Sequence, residues 1–510
     1  MKKIILLVSV ILLMSILTLF NTPAQLLAAD KYGGTLWIAS DKTGSGYFGI
    51  PSNLRGQDEM FAYHSLQRLL RPDEKGGIES RLAESWNLVP EKRAYVIKLR
   101  KGVKFHDGTD FNAQAVKWNL DRLLKGPRAI PTNSKSTDVV DDHTIQLNFS
   151  EWSQLIINDL AVDPSCLFIS PTAFEKNGED KAKANPVGTG AFTFKSYKRG
   201  VVAKYEKFDG YWEKGLPYLD GVNIIMIPDQ MTRIASLKAG EIHGVLYLDV
   251  PSARQLKGDG SFDMFIGPGV NFSIFCNSKD PTSPFSDKRV RQAIEYAIDR
   301  ETITRGLGSG FTVPINKIIP ETPDIPGKLI RSYNPEKAKQ LLAEAGYPNG
   351  LKIDINAPTF AARDFLGAVQ DYLGKVGIEV KLVYNTYPAQ QAISIKGGLG
   401  SNLSYAKIPA LQVTPLYTAK VSLASSSPWQ VEMVRTPGFD DLLDKALVEL
   451  DPKKVTSLLQ QMEELAYADA MHIPLWRDSH LGAVQKSVHD YKLWLWYGPA
   501  HDFSRTWISK

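Results

Sequence analysis

Apolar residues along this chain follow two different spacings that interleave from one end to the other. "TLWIAS" (35–40) and "YVIKLR" (95–100) are short, largely apolar runs, and the second alternates with polar residues, so both predict β-strands. In "FNAQAVKWNLDRLL" (111–124) the apolar residues fall on one helical face after Asn112, which can cap the helix. The interleaving predicts a mixed α/β fold.

The second half of the chain repeats this alternation. Ser286 can cap a helix over "DKRVRQAIEYAIDRETI" (287–303), and "DEMFAYHSLQRLL" (58–70) in the first half carries a similar apolar stripe, so each segment predicts one helix. "KIDINA" (352–357) and "IEVKLVY" (378–384) predict strands on either side of a further helix. The mixed α/β prediction therefore extends over both halves.

The first 29 residues have the pattern of a secretory signal peptide. Lys2 and Lys3 form a charged start, residues 4–20 are almost entirely apolar, and small residues precede Asp30. We predict an exported, periplasmic or otherwise extracytoplasmic protein from which residues 1–29 are cleaved. The alternative is an uncleaved anchor, since the apolar run lies near the lower limit for spanning a membrane.

Composition and charge narrow the class of protein further. Of the 510 residues, 43% are hydrophobic and 23% are charged, which is ordinary for a globular protein. The formal net charge is only +5 and no dense Lys/Arg run occurs, which argues against a nucleic-acid partner. The two cysteines, Cys166 and Cys276, are too few for a disulfide scaffold, and we predict two buried thiols, with a single bridge as the alternative.

"GSGYFG" (44–49) matches the G-x-G-x-x-G fingerprint of dinucleotide-binding loops. A true fingerprint opens directly into a helix and is followed about 20 residues later by an acidic residue. Here Pro51 intervenes, and Asp58 and Glu59 come too early. We interpret the motif as a glycine-rich loop without a phosphate ligand. "NPVGTGAF" (185–192) is interpreted as a structural turn, because it lacks a Walker lysine and leads into a predicted hairpin.

The sequence carries no recognisable motif for hydrolysis or metal binding. G-x-S-x-G, H-E-x-x-H and C-x-x-C do not occur, and the eight histidines are scattered without ligand spacing. We predict no enzyme, no metal site and no cofactor, with a periplasmic hydrolase as the alternative class. Aromatic residues in predicted loops suit the walls of a ligand cleft, although surface packing is the alternative for each of them; they are Tyr47, Phe48, Tyr405 and Trp429.

Four blocks of sequence, in order, resemble the extracytoplasmic solute-binding proteins of peptide/nickel-type ABC transporters, family 5. Ala115 stands where the family usually has Asp, and Ala191 stands where it usually has Pro. The blocks are spread over most of residues 32–480, which makes the resemblance specific. They are "LRKGVKFHDG" (99–108), "NPVGTGAFTFKSY" (185–197), "PFSDKRVRQAIEYAIDRETI" (284–303) and "YNPEKAKQLLAEAGYPNG" (333–350).

The resemblance implies an α/β, bilobed periplasmic-binding-protein-like fold with two mixed-sheet lobes, an extra subdomain and a two-strand hinge near 268–276 and 481–494. It implies capture of a peptide-like or other small polar solute, including an anionic one, by a monomer that delivers it to an ABC permease. A nickel-complex binding protein and a ligand-sensing receptor are the alternatives. The implied divisions are residues 30–73, 184–270 and 490–510 for the first lobe, 74–183 for the extra subdomain and 271–489 for the second lobe.

The same resemblance points to ligand-binding residues. Peptide-binding relatives commonly hold the α-amino group of the ligand with an Asp in a loop of the second lobe. The best counterpart is "YAKIPA" (405–410), with Lys407 in the Asp position and no acidic residue between 393 and 431. We hypothesise an anionic ligand group beside this lysine; a solvated loop lysine is the alternative. The predicted ligand-binding residues are Tyr47, Phe48, Asn271, Tyr405, Lys407 and Trp429.

Overall fold

The computed structural model describes most of the chain after the predicted signal peptide, which itself lies outside the described residues. None of the helices in this described part has the length and apolar character needed to cross a membrane. The described residues are 31–54, 58–73, 77–125, 131–315, 317–319, 330–408, 414–491, 493–494 and 500–509.

Strands and helices interleave throughout. The strands of the described residues are β1 Thr35–Ser40, β2 Leu70–Pro72, β3 Ile78–Ser80, β4 Ala83–Val89, β5 Ala94–Leu99, β6 Ser134–Asp141, β7 Thr144–Phe149, β8 Phe192–Lys198, β9 Val202–Lys207, β10 Gly221–Met226, β11 Gly244–Leu246, β12 Phe262–Cys276, β13 Val313–Pro314, β14 Leu351–Pro358, β15 Ile378–Asn385, β16 Leu403–Ile408, β17 Ile473–Gln485, β18 Val488–His489, β19 Leu493–Trp494, β20 Ala500–His501 and β21 Trp507–Ile508. The α-helices are α1 Glu59–Ala62, α2 Ala113–Leu124, α3 Leu155–Val162, α4 Pro171–Asn177, α5 Glu179–Ala184, α6 Gln230–Lys238, α7 Val250–Asp259, α8 Lys288–Ala297, α9 Arg300–Leu307, α10 Pro335–Glu344, α11 Arg363–Gly374, α12 Tyr387–Lys396, α13 Pro415–Thr418, α14 Phe439–Val448 and α15 Pro452–Asp469.

One mixed sheet runs through both halves of the molecule. Its strand order is β15-β14-β16-β12-β17-β11-β1-β10-β9-β8, with β13 pairing β17 off this path. At the middle, β12 and β17, which are 15 and 13 residues long, pair antiparallel. We call the part around β11, β1, β10, β9 and β8 the first lobe, and the part around β14, β15 and β16 the second lobe. This arrangement confirms the predicted mixed-sheet, bilobed α/β class.

A separate antiparallel sheet, in the order β4-β5-β7-β6, forms the extra subdomain with α2 packed near it. The helix begins where the sequence predicts, because the Asn112 side chain accepts a hydrogen bond from the Ala115 backbone N–H at 3.0 Å. Val116, Leu120 and Leu123 are buried on its inner face. Helical spacing and a side-chain cap together position this element.

The hydrophobic core is divided among the lobes, and the two cysteines lie in different parts of it. Cys166 packs with the apolar side chains of the extra subdomain, and Cys276 packs in the second lobe with residues of β14 and β15. Both side chains are buried free thiols, which confirms that prediction. They behave as small apolar side chains.

Two predicted helices are wrong in extent. The segment 287–303 forms two helices, α8 and α9, because Ile298 is extended and Asp299 caps α9 by accepting from the Thr302 N–H at 2.9 Å. The cap of α8 is Asp287, not Ser286. Side-chain capping by an aspartate inside an apolar stripe ends one helix and starts another.

The segment 58–70 is helical only over α1. Its next residues leave the helix because their backbone pairs with the "GTG" turn: the Gly190 N–H donates to the Ser65 carbonyl at 2.9 Å, and the Phe192 N–H donates to the His64 carbonyl at 3.1 Å. A Cβ at Gly190 would overlap that His64 carbonyl oxygen. A tertiary contact therefore overrides the helical pattern.

The two strands predicted to connect the lobes are found with shifted bounds. β12 contains the predicted 268–276 stretch, and its partner β17, Ile473–Gln485, overlaps the predicted 481–494 stretch only at 481–485. Residues 477–480 are polar and half-buried, and the strand continues through them because Arg477, Ser479 and His480 pair with β12.

The contact at the "GTG" turn gives a test of the fold. Gly190→Ala is expected to lower the free energy of unfolding by about 1–3 kcal/mol, because the new methyl group meets backbone that cannot move aside. Gly367→Ala is the matched control: this glycine lies inside α11 with open space around it, and the substitution should be neutral or stabilising by up to about 1 kcal/mol. Urea unfolding measures both, and equal stability of the two variants would contradict the assigned role of Gly190.

Candidate functional site

A cavity of about 320 Å³ opens in the second lobe, between the β12–β16 ladder and α12. Ligand pockets in proteins generally begin at about this size and are lined mainly by apolar and aromatic groups. Three of the predicted ligand-binding residues, Tyr405, Lys407 and Trp429, line it. The aromatic residues of its wall are Phe272, Phe275, Phe360, Tyr387, Tyr405, Tyr417 and Trp429.

The floor of the cavity is a stack of aromatic rings on neighbouring strands. The rings of Phe272 on β12 and Tyr405 on β16 lie parallel, with centroids 5.0 Å apart and an interplanar angle of 2°. Tyr405 also contacts Trp476 on β17 at 6.0 Å. Tyr405 is only 1% exposed, so it supports the floor more than it offers surface to a ligand. Phe360 and Tyr387, by contrast, are 58% and 42% exposed at the lip of the cavity.

The neutral polar groups of the wall are mostly held by their own neighbours. Gln390 Nε2 donates to Ser404 Oγ at 3.0 Å and to the Asn356 carbonyl at 3.2 Å. Gln430 Nε2 donates to Ser394 Oγ at 3.2 Å. These bonds fix the shape of the wall. Because they occupy the amide donors, selection of the ligand is left to a charged group. Among the described residues that line the cavity, that charged side chain is Lys407 alone.

Lys407 is exposed on the wall of the cavity, close to an aromatic ring. Its Nζ lies 5.8 Å from the centroid of the Tyr387 ring, a weak cation–π geometry. Burial lowers the pKa of Lys407, the charge of Asp478 raises it, and the charge of Lys42 lowers it again. The side chain is nevertheless exposed to the cleft, so an anionic group of a ligand can reach the ammonium directly.

Two titratable residues of β17 are near enough to this lysine for the charges to interact. Burial raises the pKa of Asp478 to about 6, although the Val270 N–H, which donates to its Oδ1 at 2.7 Å, and the charge of Lys407 oppose the rise. Burial, followed by the charges of Lys407 and Lys42, lowers the pKa of His480 to about 4. At neutral pH this histidine is uncharged and the aspartate is ionised.

The first lobe contributes Lys42 and Tyr247 to the same region. Lys42 follows β1, pairs with Asp41 at 2.7 Å and lies 4.9 Å from the centroid of the Tyr247 ring. That ring meets His480 edge to face at 6.2 Å, and the backbone of Tyr247 is left-handed, with φ of 57°. Such a conformation is rare for an aromatic residue and is often found at ligand sites.

The other predicted residues lie elsewhere. Phe48 was predicted to contact the ligand, but its position is incompatible with that role. It is fully buried in the core of the first lobe and stacks on Phe61, with ring centroids 5.0 Å apart. The loop glycine Gly44 leaves room for both rings. Tyr47 is 56% exposed and is not among the cavity-lining residues. Asn271 is 5% exposed in β12, opposite Ile408 on one side. Of the two aromatic residues in the "GSGYFG" loop, Tyr47 and Phe48, only Tyr47 has a surface that a ligand can reach.

Sequence reasoning missed Lys42, Tyr247, Asp478 and His480. Lys42 comes soon after the first strand, and nothing in its local sequence distinguishes it from other lysines. The "RDSH" run (477–480) does carry a signal, since four polar residues interrupt a strand that is apolar on both sides. Polar residues within a buried strand indicate a site or a hinge more often than a surface.

Comparison with known proteins places the chain among transport proteins. Residues 77–400 match the model of bacterial extracellular solute-binding proteins, family 5 middle. The glutathione-binding protein GsiB of Shigella flexneri serotype 5b is 30% identical over 461 residues, 86% of this chain and 87% of that protein. The ABC transporter-associated periplasmic binding protein DppA of Helicobacter pylori, in complex with the peptide STSA, superimposes with a TM-score of 0.78 at 25% identity, over 95% of this chain and 100% of that one. The binding protein AgaA of A. tumefaciens R10, in complex with agropinic acid, gives a TM-score of 0.75 at 26% identity, over 94% and 99%.

The half-buried Asp478 predicts a pH-dependent stability. Its folded-state pKa lies above its ordinary value, so the folded protein binds a proton between about pH 4 and pH 6 that the unfolded chain has released, and stability falls as pH rises through that window. Asp478→Asn keeps an oxygen acceptor for the Val270 N–H and removes the charge. The ligand-free variant should therefore be more stable than the parent protein by on the order of 2 kcal/mol at pH 7.5 and equal to it near pH 3.5.

Thermal unfolding across this pH range measures the difference. Asp371→Asn, at an exposed position on α11, is the control and should follow the parent protein at every pH. A constant offset between Asp478→Asn and the parent protein over the whole range would contradict the assignment.

Proposed function

Because this chain belongs to the bacterial extracellular solute-binding proteins of family 5, the solute-binding components that deliver ligands to ABC permeases, we propose that it captures a small peptide-like solute through a carboxylate of that solute. The observation that carries the proposal is Lys407, the charged side chain on the wall of an aromatic cavity in the second lobe. Closure of the lobes then follows from ligand contacts made on both sides of the cleft.

Electrostatics of the wall support a carboxylate. No acidic residue occurs between 393 and 431, the segment that carries β16 and the loops around the cavity. The Lys407 side chain is exposed to the cleft, so its ammonium can form a charge-assisted hydrogen bond with a carboxylate of the ligand. The exposed rings of Phe360 and Tyr387 at the lip provide apolar surface for the remainder of a small ligand.

The relatives support the same chemical class. One is named for glutathione, one was solved with the peptide STSA and one with agropinic acid. Free peptides, glutathione included, carry at least one carboxylate at neutral pH. A lysine on the wall of the cavity suits each of these ligands better than it suits a neutral sugar or a metal cation.

Further features of the protein belong to the same proposal. Residues 1–29 are a cleaved export signal, and the protein acts as a monomer without catalysis. The proposed divisions are residues 30–73, 184–270 and 490–510 for the first lobe, 74–183 for the subdomain and 271–489 for the second lobe. Support comes from the charged and apolar pattern at the N-terminus and from the separate core clusters of the subdomain and the second lobe.

The proposal is tested by thermal unfolding of the purified protein with a panel of tripeptides, glutathione, and the same tripeptides with amidated C-termini. A true ligand at 100 times its Kd should add about 2.7 kcal/mol to stability, and amidation should remove most of that gain. Lys407→Gln should weaken binding of the best free acid by about 10- to 100-fold.

Lys381→Gln is the matched control, since this lysine is exposed on β15 away from the cavity, and it should leave affinity unchanged. The proposal fails if no peptide-like acid stabilises the protein, or if the amidated peptides bind as well as the free acids.

A further inference from the structure

The cavity of the second lobe lies where two parallel strands separate. β14 pairs with β16 as far as Asn356 and Ser404, and beyond these residues β14 continues beside β15 to Pro358 while β16 continues beside β12 to Ile408. From β14 the chain passes first to β15 on one side and then to β16 on the other, so the order of strands reverses at this gap. A crevice of this kind, outside the carboxyl ends of parallel strands, is where open α/β sheets bind their ligands.

Lys407 stands between aromatic rings at this crevice. Phe272 on β12 is directly opposite Lys407 on β16, so the two side chains share one face of the ladder. On the side of α12, the centroid of the Tyr387 ring lies 5.8 Å from Lys407 Nζ. The ring centroids of Tyr387 and Phe360 are in turn 5.7 Å apart, at an interplanar angle of 51°. An anion that binds the ammonium therefore has aromatic surface beside it.

The size of the cavity limits what can follow such an anion into it. Its volume of about 320 Å³ is at the lower end of the range for ligand pockets, which suits one bulky group better than a whole peptide. In an α-amino acid the side chain is attached to the carbon that bears the carboxylate. When that carboxylate meets Lys407, the side chain of the same residue is the group that enters the cavity.

The wall favours an aromatic side chain over an aliphatic or polar one. Rings on the wall interact with a bound ring through edge-to-face and offset contacts, in addition to the gain from burial. The amides of Gln390 and Gln430 donate to Ser404 and Ser394, so a polar side chain would lose its hydrogen bonds to water without replacement. A cationic side chain would meet Lys407 and, among the described residues of the wall, no carboxylate.

We propose that this cavity selects an aromatic side chain on the residue whose carboxylate Lys407 binds, so that the substrates are peptides with an aromatic carboxyl-terminal residue. The inference rests on the proposed function and names the substrate class of the same site. It separates this chain from the relative that is named for glutathione. Glutathione ends in glycine and would leave the cavity unfilled, so it should be a poor ligand here.

The test uses two isomers, Gly-Ala-Phe and Phe-Ala-Gly, which have the same atoms and the same net charge. Isothermal titration of the purified, ligand-free protein should give at least about tenfold tighter binding of Gly-Ala-Phe, the difference expected for burying one large side chain. Gly-Ala-Leu should bind about threefold more weakly than Gly-Ala-Phe, because it lacks the contacts between rings. Equal or tighter binding of either Phe-Ala-Gly or Gly-Ala-Leu overturns the inference, and so does binding of no member of this set.

The carboxyl-terminal amide of Gly-Ala-Phe separates this inference from the proposed function. If the amide binds as tightly as the free acid, Lys407 does not select a carboxylate and the proposed function fails. If free acids bind more tightly than amides but the position of the aromatic residue has no effect, only the inference about the cavity fails.

A variant that narrows the cavity tests where the aromatic ring lies. Ala406→Leu adds volume to the wall from β16 and should weaken Gly-Ala-Phe by at least about tenfold and Phe-Ala-Gly by less than about threefold. Ala343→Leu is the matched control, since this alanine is exposed on α10 away from the cavity, and it should leave both affinities unchanged. Equal losses of both peptides in Ala406→Leu contradict the inference. If that variant does not fold, the isomer pair in the parent protein decides the question.

Discussion

The antiparallel pairing of β12 with β17 is the constraint on which both lobes and the binding cleft depend. The ladder is irregular between Pro268 and Asn271, where the backbone of Gly269 lies against Asp478 and the Val270 N–H donates to its carboxylate. A polar contact inside a buried strand pair replaces regular ladder bonds at this point and keeps the junction ordered. The same strand pair thus connects the lobes and places the charged groups of the cleft.

Local patterns in the sequence predicted most of the elements, and long-range pairing explains the exceptions. Helix α2 follows from its apolar spacing and from Asn112, both of which are local properties. The helix expected over 58–70 fails because its backbone pairs with residues more than a hundred positions away, which no local pattern reveals. The residues of the candidate site show the same difference between local and long-range signals. Lys407 was found through a resemblance, whereas its neighbour Asp478 is brought to it only by the register of three strands.

Glycine-rich segments in this protein serve close backbone packing. A Cβ at Gly49 would overlap the Ala182 carbonyl of the extra subdomain, and Gly44 makes room for the stacked ring of Phe48. A motif shared with phosphate loops therefore holds an aromatic side chain inside a core and joins two units of the fold. The residue types that allow close approach to a ligand also allow close approach to another strand or helix, and the following element decides between the two uses.

The order of strands in the central sheet has a consequence for how such proteins diversify. The chain enters the second lobe through β12 and leaves it through β17, and these two strands are hydrogen-bonded partners. Everything between them is in effect a cassette whose ends lie side by side. A chimera that exchanges this cassette between related proteins would keep both junctions within one ladder, so a new ligand pocket could be acquired without rebuilding the half of the molecule that surrounds β1.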